Sequence, residues 1–332
     1  MTTGILFIIM AGIFSGTFAL PFKFNKGWMW ENNWLIWSFT ALLVAPWVAA
    51  LLTIPELFTV LQNESGCLYL VTLFGLIWGI GSIMFGKGLH ILGISLALPI
   101  MQGLINSIGT IMPVIFKDPA KLLAPSGIKL LAGVSVIIFG IILYSIAGSR
   151  KEKNLQNNTT QIHKSHSNFK KGLLICILAG IFGPMINFAF VFGKPLQEQA
   201  IATGASTVFS ANAIWCIVLT AGFVINALEC IRLFHRNSSR KCYKIHTGRS
   251  MTFAILGGTL WYFSIMFYGM GSNSIGEMGT SIGWAIMQST AIIAGNVAGI
   301  AAGEWKGADR NSIIPMIAGL ALLIIGIIVI AY

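Results

Sequence analysis

Polar residues form a regular stripe within the apolar stretch that spans residues 92–116. The stripe consists of residues three or four apart, namely Ser95, Pro99, Gln102, Asn106, Thr110 and Pro113. That spacing places the residues on one face of a helix. Uncharged amides and hydroxyls both donate and accept hydrogen bonds, so the stripe offers recognition of a neutral polar solute. The alternative is hydrogen bonding between packed helices.

A second set of polar residues lies in the C-terminal half of the chain. Gln288 follows Trp284 by one helical turn, and Ser281 precedes Trp284 on the same stretch. An unpaired polar group costs several kcal/mol in an apolar medium, so these side chains face other helices or a cavity. The predicted solute-binding residues are Gln102, Asn106, Asn187, Ser281, Trp284 and Gln288.

Patterns typical of catalysis and metal binding are missing from the sequence. It contains no H-E-x-x-H and no G-x-S-x-G motif, and no pair of aspartates lies within an apolar stretch. The five cysteines are scattered and form no C-x-x-C motif. We therefore predict that the protein is not an enzyme and that it needs neither a metal nor another cofactor.

The composition requires a membrane as the solvent. Of the 332 residues, 56% are hydrophobic and only 9% are charged, whereas about 25% are charged in a typical soluble domain. A membrane-spanning helix needs about 20 predominantly apolar residues. Ten stretches qualify, and we predict an all-α integral membrane protein with spans at 4–22, 34–55, 66–88, 92–116, 128–148, 172–193, 206–229, 251–271, 277–303 and 312–331.

The net charge of +11 reflects membrane topology rather than nucleic-acid binding. Of the 21 Lys and Arg residues, 17 lie in the loops after spans 1, 3, 5, 7 and 9 or at the adjoining span ends, and four lie on the other side. Positively charged loops stay in the cytoplasm. We therefore predict that both termini are periplasmic. The basic residues and tryptophans of the loop 22–33 are interpreted as interfacial anchors.

Short segments recur in the same order in both halves of the chain. Ala11-Gly-Ile-Phe14 recurs as Ala179-Gly-Ile-Phe182 at an offset of 168, and Ile100-Met-Gln102 recurs as Ile286-Met-Gln288 at an offset of 186. The two halves are therefore predicted to be repeats of five helices each. They comprise residues 1–148 and 172–332, and a basic cytoplasmic linker, 149–171, joins them.

An odd number of spans per repeat gives the second repeat the opposite orientation to the first. Inverted repeats of this kind are typical of secondary transporters, whose substrate site lies near the midplane where the repeats meet. Gln102 and its repeat partner Gln288 are expected at that interface. The sequence thus predicts a transporter of a small polar solute that works by alternating access.

The chain resembles the L-rhamnose–proton symporter family of the drug/metabolite transporter superfamily. The segments that carry the resemblance are LPFKFNKGWMWENNW (20–34), FGLIWGIGSIMFGKGLHILG (74–93), KKGLLICILAGIF (170–182), GKPLQEQA (193–200), GGTLWYFSIMFYGMG (257–271) and EWKGADR (304–310). The resemblance implies uptake of a deoxyhexose together with a proton across a bacterial inner membrane. An aromatic ring such as that of Trp284 would pack against the apolar face of such a sugar.

The resemblance also directs attention to one carboxylate. The family pattern has an acidic residue four positions before the tryptophan of span 9, where this chain has Thr280. The nearest carboxylate is Glu277, which is therefore the candidate for proton coupling. The alternative is that Ser274 and Glu277 form a capping box at the start of span 9.

The alternative function is a drug/metabolite-type exporter or exchanger of another neutral metabolite, because the matching segments are mostly packing and loop motifs. A membrane sensor or scaffold is disfavoured, because it would be expected to carry a soluble signalling domain and the ten spans leave no room for one. The lack of a central charged residue disfavours strongly charged solutes.

Overall fold

The structure is a computed structural model, and it describes residues 2–25, 27–92, 94–156, 166–301, 303, 305 and 308–331. These residues form helices and connecting turns without any strand, which confirms the predicted all-α class. The predicted linker, 149–171, lies partly outside this range, because residues 157–165 are not described. On either side of that gap the chain is helical.

Fourteen α-helices occur in the described residues. They are α1 Thr2–Thr17, α2 Trp30–Ser38, α3 Ala45–Thr53, α4 Leu57–Asn63, α5 Ser65–Leu92, α6 Ile94–Lys117, α7 Pro125–Gln156, α8 His166–Phe182, α9 Met185–Phe192, α10 Lys194–Ala202, α11 Asn212–Asn237, α12 Thr247–Ile275, α13 Gly279–Ala301 and α14 Arg310–Ala331. Short 3₁₀-helices at Leu20–Phe24, Pro119–Leu122 and Ser239–Lys244 lie in the connections.

Ten segments of the described chain are long and apolar enough to cross a membrane, as predicted. The second segment, Trp30–Thr53, joins α2 to α3 through a π-helical turn at Phe39–Val44. Pro46 explains this turn, because proline lacks the N–H for a normal helical bond and its ring crowds the preceding turn. The sixth segment, Lys170–Ala202, extends beyond the predicted end at residue 193 because α10 continues it.

Helices α7 and α14 pack tightly and run antiparallel. A methyl carbon added at Gly140 would lie 2.9 Å from the carbonyl oxygen of Gly319, and one added at Gly133 would lie 3.0 Å from that of Gly326. Residue numbers rise on one helix as they fall on the other, so the two chains run in opposite directions. Small residues at such contacts allow two helix backbones to approach closely in a membrane.

Helix α1 packs against α12 and α13, and α5 packs against α8 and α11. A methyl carbon at Gly12 would lie 2.4 Å from Cβ of Thr290, and one at Gly16 would lie 2.3 Å from the carbonyl oxygen of Ala291. The Gly12-x-x-x-Gly16 pair is therefore a helix contact, as its spacing predicts.

An acidic residue marks each end of the helix bundle. At one end α2 begins with Glu31 in its first turn, beside the end of α11. There the Asn32 amide donates to the carbonyl oxygen of Ser239 over 3.1 Å. At the other end α13 begins, and Glu277 just before it pairs with Lys121 after α6. We call these the Glu31 end and the Glu277 end.

Candidate functional site

A cavity of about 250 Å³ lies in the middle of the bundle, where helices of both halves of the chain meet. We call it the central cavity. Its polar lining comes from Ser15, Ser82, Gln102 and Gln288, and half of the remaining lining residues are aromatic. No acidic or basic side chain of the described residues lines it. The cavity therefore suits a small solute that is uncharged.

The two glutamines come from helices that cross at this point. The Trp284 indole N–H on α13 donates to the carbonyl oxygen of Ile105 on α6 over 3.1 Å. This contact fixes α6 against α13 and brings Gln102 and Gln288 to the same cavity. Both amides are half-buried, and among the described residues neither is hydrogen-bonded to another protein group. Their donors and acceptors are available to a solute.

Tryptophans form one wall of the central cavity. The rings of Trp34 and Trp37 are stacked with centroids 4.3 Å apart, and Trp37 meets Trp261 edge-on at 5.3 Å. Trp78 stacks on Trp261 at 5.6 Å. Such packing fixes each ring, so the cavity presents rigid apolar faces next to the two amides.

Hydrogen bonds to Asn226 on α11 hold this wall in place. The Trp34 indole N–H donates to Oδ1 of Asn226 over 2.9 Å, and the Ser82 hydroxyl donates to the same oxygen over 3.2 Å. The Asn226 amide in turn donates to the carbonyl oxygen of Gly222 over 2.8 Å. Asn226 is buried, so it positions two cavity residues without lining the cavity.

A second and larger cavity, of about 730 Å³, opens at the Glu277 end. We call it the vestibule. Four helices line both cavities, and on each helix one intervening residue lies between the two stretches of lining or at the inner edge of one. The central-cavity, intervening and vestibule residues are Ile105, Gly109 and Pro113 on α6; Ile186, Asn187 and Phe190 on α9; Ile265, Tyr268 and Ser272 on α12; and Gln288, Trp284 and Ser281 on α13, where Trp284 also lines the central cavity.

The four intervening residues, Gly109, Asn187, Tyr268 and Trp284, form what we call the Tyr268 layer. The Asn187 amide donates to the carbonyl oxygen of Gly109 over 2.7 Å, and the Tyr268 hydroxyl bonds to Oδ1 of Asn187. The ring of Trp284 lies edge-on to Tyr268 at 5.7 Å. The layer separates the two cavities.

The predicted site residues thus fall into three places. Gln102, Trp284 and Gln288 line the central cavity. Asn187 and the buried Asn106 do not, and the Asn106 amide nitrogen has no hydrogen-bond partner among the described residues. Ser281 lines the vestibule.

Glu277 lies at the mouth of the vestibule and is 82% exposed. Its hydrogen bond with the Lys121 ammonium group lowers the pKa of Glu277, and the same bond raises the pKa of Lys121. The capping box is wrong, because α13 begins only at Gly279 and the Ser274 hydroxyl donates to the carbonyl oxygen of Met270.

Comparison with known proteins identifies the family of the chain. A family model described as L-rhamnose-proton symport protein (RhaT) matches residues 1–332. The chain belongs to the RhaT family. An L-rhamnose-proton symporter of Yersinia pestis (strain Pestoides F) is 29% identical over 334 residues, which cover 97% of this chain and 95% of the relative. One of Cronobacter sakazakii (strain ATCC BAA-894) is 29% identical over 337 residues, covering 98% and 95%.

In this RhaT-family chain, sequence reasoning missed part of the cavity wall. Trp34 and Trp78 were not among the predicted site residues, although both line the central cavity. Trp34 lies near the start of its span, where a tryptophan is typical of the interfacial belt, and this position conceals its role. The available signal was the Trp34–Trp37 spacing, since residues three apart lie on one helix face.

The described residues of this RhaT-family chain contain no group of three or more His, Cys, Asp or Glu that could hold a metal ion. The central cavity offers amides, hydroxyls and aromatic rings. Groups of these kinds are suited to hydrogen bonding and stacking with a neutral solute.

Proposed function

We propose that the protein is a secondary active transporter that takes up a small neutral sugar such as L-rhamnose together with a proton. One observation carries this proposal above the others. In a chain of the RhaT family, the central cavity is uncharged, contains two free amides and has tryptophan walls. The family match does not favour an exporter or exchanger of another metabolite.

The cavity chemistry supports a monosaccharide as the solute. Each sugar hydroxyl is a donor and an acceptor, and Gln102 and Gln288 supply both functions from opposite helices. The apolar face of the ring packs against indole surfaces. A volume of about 250 Å³ is just below the range of about 300–1,000 Å³ that is typical of drug-sized ligands. A charged solute would lose its hydration without gaining a counter-charge.

An inverted repeat is part of the proposal, with the five-helix halves at residues 1–148 and 172–332. The antiparallel pair α7 and α14 supports it, because these are the fifth spans of the two halves and run in opposite directions. Gly133 and Gly140 have their counterparts in Gly319 and Gly326, at the same offset of 186 that relates Gln102 to Gln288. A ten-helix inverted repeat also agrees with placement in the drug/metabolite transporter superfamily.

Exchanged contacts give further support for the repeat. A methyl carbon at Gly12 on α1 would meet Cβ of Thr290 on α13, whereas one at Gly180 on α8 would meet Cβ of Leu104 on α6 at 2.6 Å. Gly180 is the counterpart of Gly12, and Thr290 is the counterpart of Leu104. Each contact is thus the image of the other, as a two-fold relation between the halves requires.

The two cavities support a mechanism of alternating access. In this conformation the Tyr268 layer closes the central cavity off from the vestibule. We propose that the solute enters through the vestibule and that opening of the layer brings Asn106, Asn187 and Ser281 onto its path. Their role as direct ligands stays a prediction. Rearrangement around a fixed midplane site is the typical mechanism of inverted-repeat transporters.

We propose a bacterial inner membrane as the location, with both termini in the periplasm. The ten apolar segments and the bacterial relatives support the membrane. The excess of Lys and Arg in the loops at the Glu31 end supports a cytoplasmic position for that end. The vestibule then opens to the periplasm.

The test is uptake of labelled L-rhamnose into proteoliposomes, with and without an inward proton gradient. Accumulation driven by the gradient is the expected result. Equilibration that is insensitive to the gradient would retain the sugar and remove proton coupling. If folded protein transported no L-rhamnose but a panel of neutral metabolites revealed another solute, the sugar assignment would be refuted.

A further inference from the structure

We infer that Glu31 is the carboxylate that takes up the co-transported proton and that its protonation loosens the Glu31 end of the bundle. This inference rests on the proposed sugar–proton symport. It assigns the proton to an acidic residue of the loop whose lysines and tryptophans are interpreted as interfacial anchors.

Glu31 is only 3% exposed, although it belongs to the first turn of α2. Its Oε1 accepts a hydrogen bond from the Ser239 hydroxyl at 2.5 Å and one from the Asn237 amide at 3.0 Å. Two further hydrogen bonds join the same elements. The Asn32 amide donates to the carbonyl oxygen of Ser239 at 3.1 Å, and the Tyr243 hydroxyl donates to the carbonyl oxygen of Asn32 at 3.2 Å. We call these five residues the Glu31 cluster.

Among the described residues, Glu31 forms no ion pair. The groups that face it are the thiol of Cys230 on α11 and the hydroxyl of Tyr243 in the connection to α12. Burial raises the pKa of Tyr243 to about 12, so its hydroxyl stays neutral near pH 7. Exposed cations of the same elements are Arg232, Arg236, Arg240, Lys241, Lys244 and Arg249.

The nearby carboxylate Glu229 has a different environment. Arg232 bonds to it at 2.7 and 2.8 Å, and the Lys87 ammonium group lies 3.2 Å away. Two cations hold Glu229 in its charged form. A buried carboxylate held by neutral donors alone gains a proton more readily than one with two cations. Of the two, Glu31 is therefore the better proton carrier.

Protonation changes what Glu31 can do within its cluster. An ionised carboxylate only accepts hydrogen bonds, and its bonds are stronger for the charge. The proton forms an O–H bond at one carboxyl oxygen, which removes the charge and turns that oxygen into a donor. Ser239 and Asn237 then hold the start of α2 less firmly. In this symport the proton comes from the periplasmic side, through the vestibule and the central cavity once the Tyr268 layer has opened. When the cluster then opens to water, the carboxylate releases the proton on the cytoplasmic side.

Helix α2 also lines the central cavity, and α11 holds that part of α2 in place. Trp34 and Trp37 follow Glu31 on α2 by one and nearly two turns, about 9 Å for six residues, and both line the cavity. Trp34 is bonded to Asn226 on α11, and α11 ends at Asn237 in the Glu31 cluster. Loosening α2 from α11 at the cluster therefore alters the wall that holds the solute. Proton and sugar become coupled because both act on the same helix pair.

The decisive comparison uses Glu31→Gln, which keeps the size of the side chain and removes the titratable group. In proteoliposomes loaded with a pH-sensitive dye, L-rhamnose entry should acidify the lumen with wild-type protein and leave it unchanged with Glu31→Gln. Gradient-driven accumulation should fall to the equilibrium level, while exchange of labelled for unlabelled L-rhamnose at equal pH continues. Glu56→Gln, at an exposed carboxylate before α4, is the matched control and should behave as wild type.

A second variant tests the inference even where Glu31→Gln does not fold. Ser239→Ala removes one donor to the carboxylate and keeps the titratable group. Since the ionised form loses a stabilising bond, protonation occurs at higher pH. The pH midpoint of uptake should move upward by up to about one unit, the size expected for one hydrogen bond. An unchanged midpoint would count against Glu31.

Several results separate this inference from the proposed function. If wild-type protein shows no proton-driven accumulation of L-rhamnose, the symport itself is refuted. If the wild type accumulates the sugar and Glu31→Gln does so equally, only the role of Glu31 is refuted. If Glu277→Gln lost proton coupling and Glu31→Gln kept it, Glu277 at the vestibule would be the proton-carrying residue and the inference for Glu31 would be refuted.

Discussion

The Tyr268 layer depends on a glycine, and its substitution gives a prediction with a calculable size. A methyl carbon at Gly109 would lie 2.3 Å from the indole nitrogen of Trp284 and 2.7 Å from its Cδ1. Trp284 is 4% exposed, so the ring has little free space into which it can move. Gly109→Ala must therefore displace the indole and break its 3.1 Å bond to the carbonyl oxygen of Ile105.

The expected cost combines three contributions. Overpacking a filled site costs about 1–3 kcal/mol. Loss of the bond between Trp284 and Ile105 leaves a buried donor unsatisfied, at about 1–3 kcal/mol. Alanine in place of glycine in a helix returns about 1 kcal/mol. The net destabilisation of the closed layer is about 1–5 kcal/mol, so its population relative to other conformations falls by about fivefold or more.

The same helix provides the control. A methyl carbon at Gly103 would meet nothing within 4 Å, so Gly103→Ala should be neutral or stabilising by up to about 1 kcal/mol. Thermal unfolding in detergent and initial uptake in proteoliposomes compare the two variants. Gly109→Ala should unfold at lower temperature and transport more slowly. If it matched Gly103→Ala in both assays, the role assigned to the layer would be wrong.

Three further predictions concern the cavity and the helix contacts. Gln102→Ala and Gln288→Ala should each abolish L-rhamnose uptake and leave folded protein in the membrane; normal transport by both would remove the proposed site. Asn226→Ala leaves the indole donor of Trp34 unpaired, while the Ser82 hydroxyl keeps its bond to the carbonyl oxygen of Gly79; it should raise KM more than it lowers kcat in uptake assays, whereas a purely structural role would lower the yield of folded protein alone. Gly140→Ala should lower stability by about 1–3 kcal/mol in thermal unfolding, relative to Gly148→Ala, which meets nothing within 4 Å; equal stability would contradict close packing of α7 on α14.

The ten spans could be predicted because hydrophobic length is a local property of the sequence. Their exact ends could not. The sixth span continues past Gly193, where Pro195 in the first turn of α10 restarts the helix. The short helix α4 was not predicted either, since a seven-residue segment outside the membrane leaves only a weak pattern.

The candidate site was only partly predictable for a geometrical reason. The spacing correctly placed Gln102 and Asn106 on one face of α6. A helix face extends along the whole membrane depth, however, at 1.5 Å per residue. Depth decides which polar residue reaches the central cavity, and it depends on how α6 crosses α13. The contact of Trp284 with Ile105 that sets this crossing joins residues 179 positions apart, and no local pattern reveals it.

The position of Glu31 was missed for a related reason. Within the loop 22–33, Glu31 lies among lysines and tryptophans that are typical of a membrane boundary. Its burial comes from Asn237 and Ser239, which are more than 200 positions away in the chain. A single sequence gives the composition of the loop but not the surface that covers it.

The thinness of the Tyr268 layer has an electrical consequence. On α9, Phe190 at the vestibule is only four positions after Ile186 at the central cavity, which is about 6 Å of helix. A solvent-accessible vestibule brings the potential of one bulk phase down to this layer, so the membrane voltage falls across the remainder of the protein. A neutral sugar crosses that field without electrical work. A proton gains about 2.3 kcal/mol per 100 mV, so in a symport the voltage would act through the proton alone.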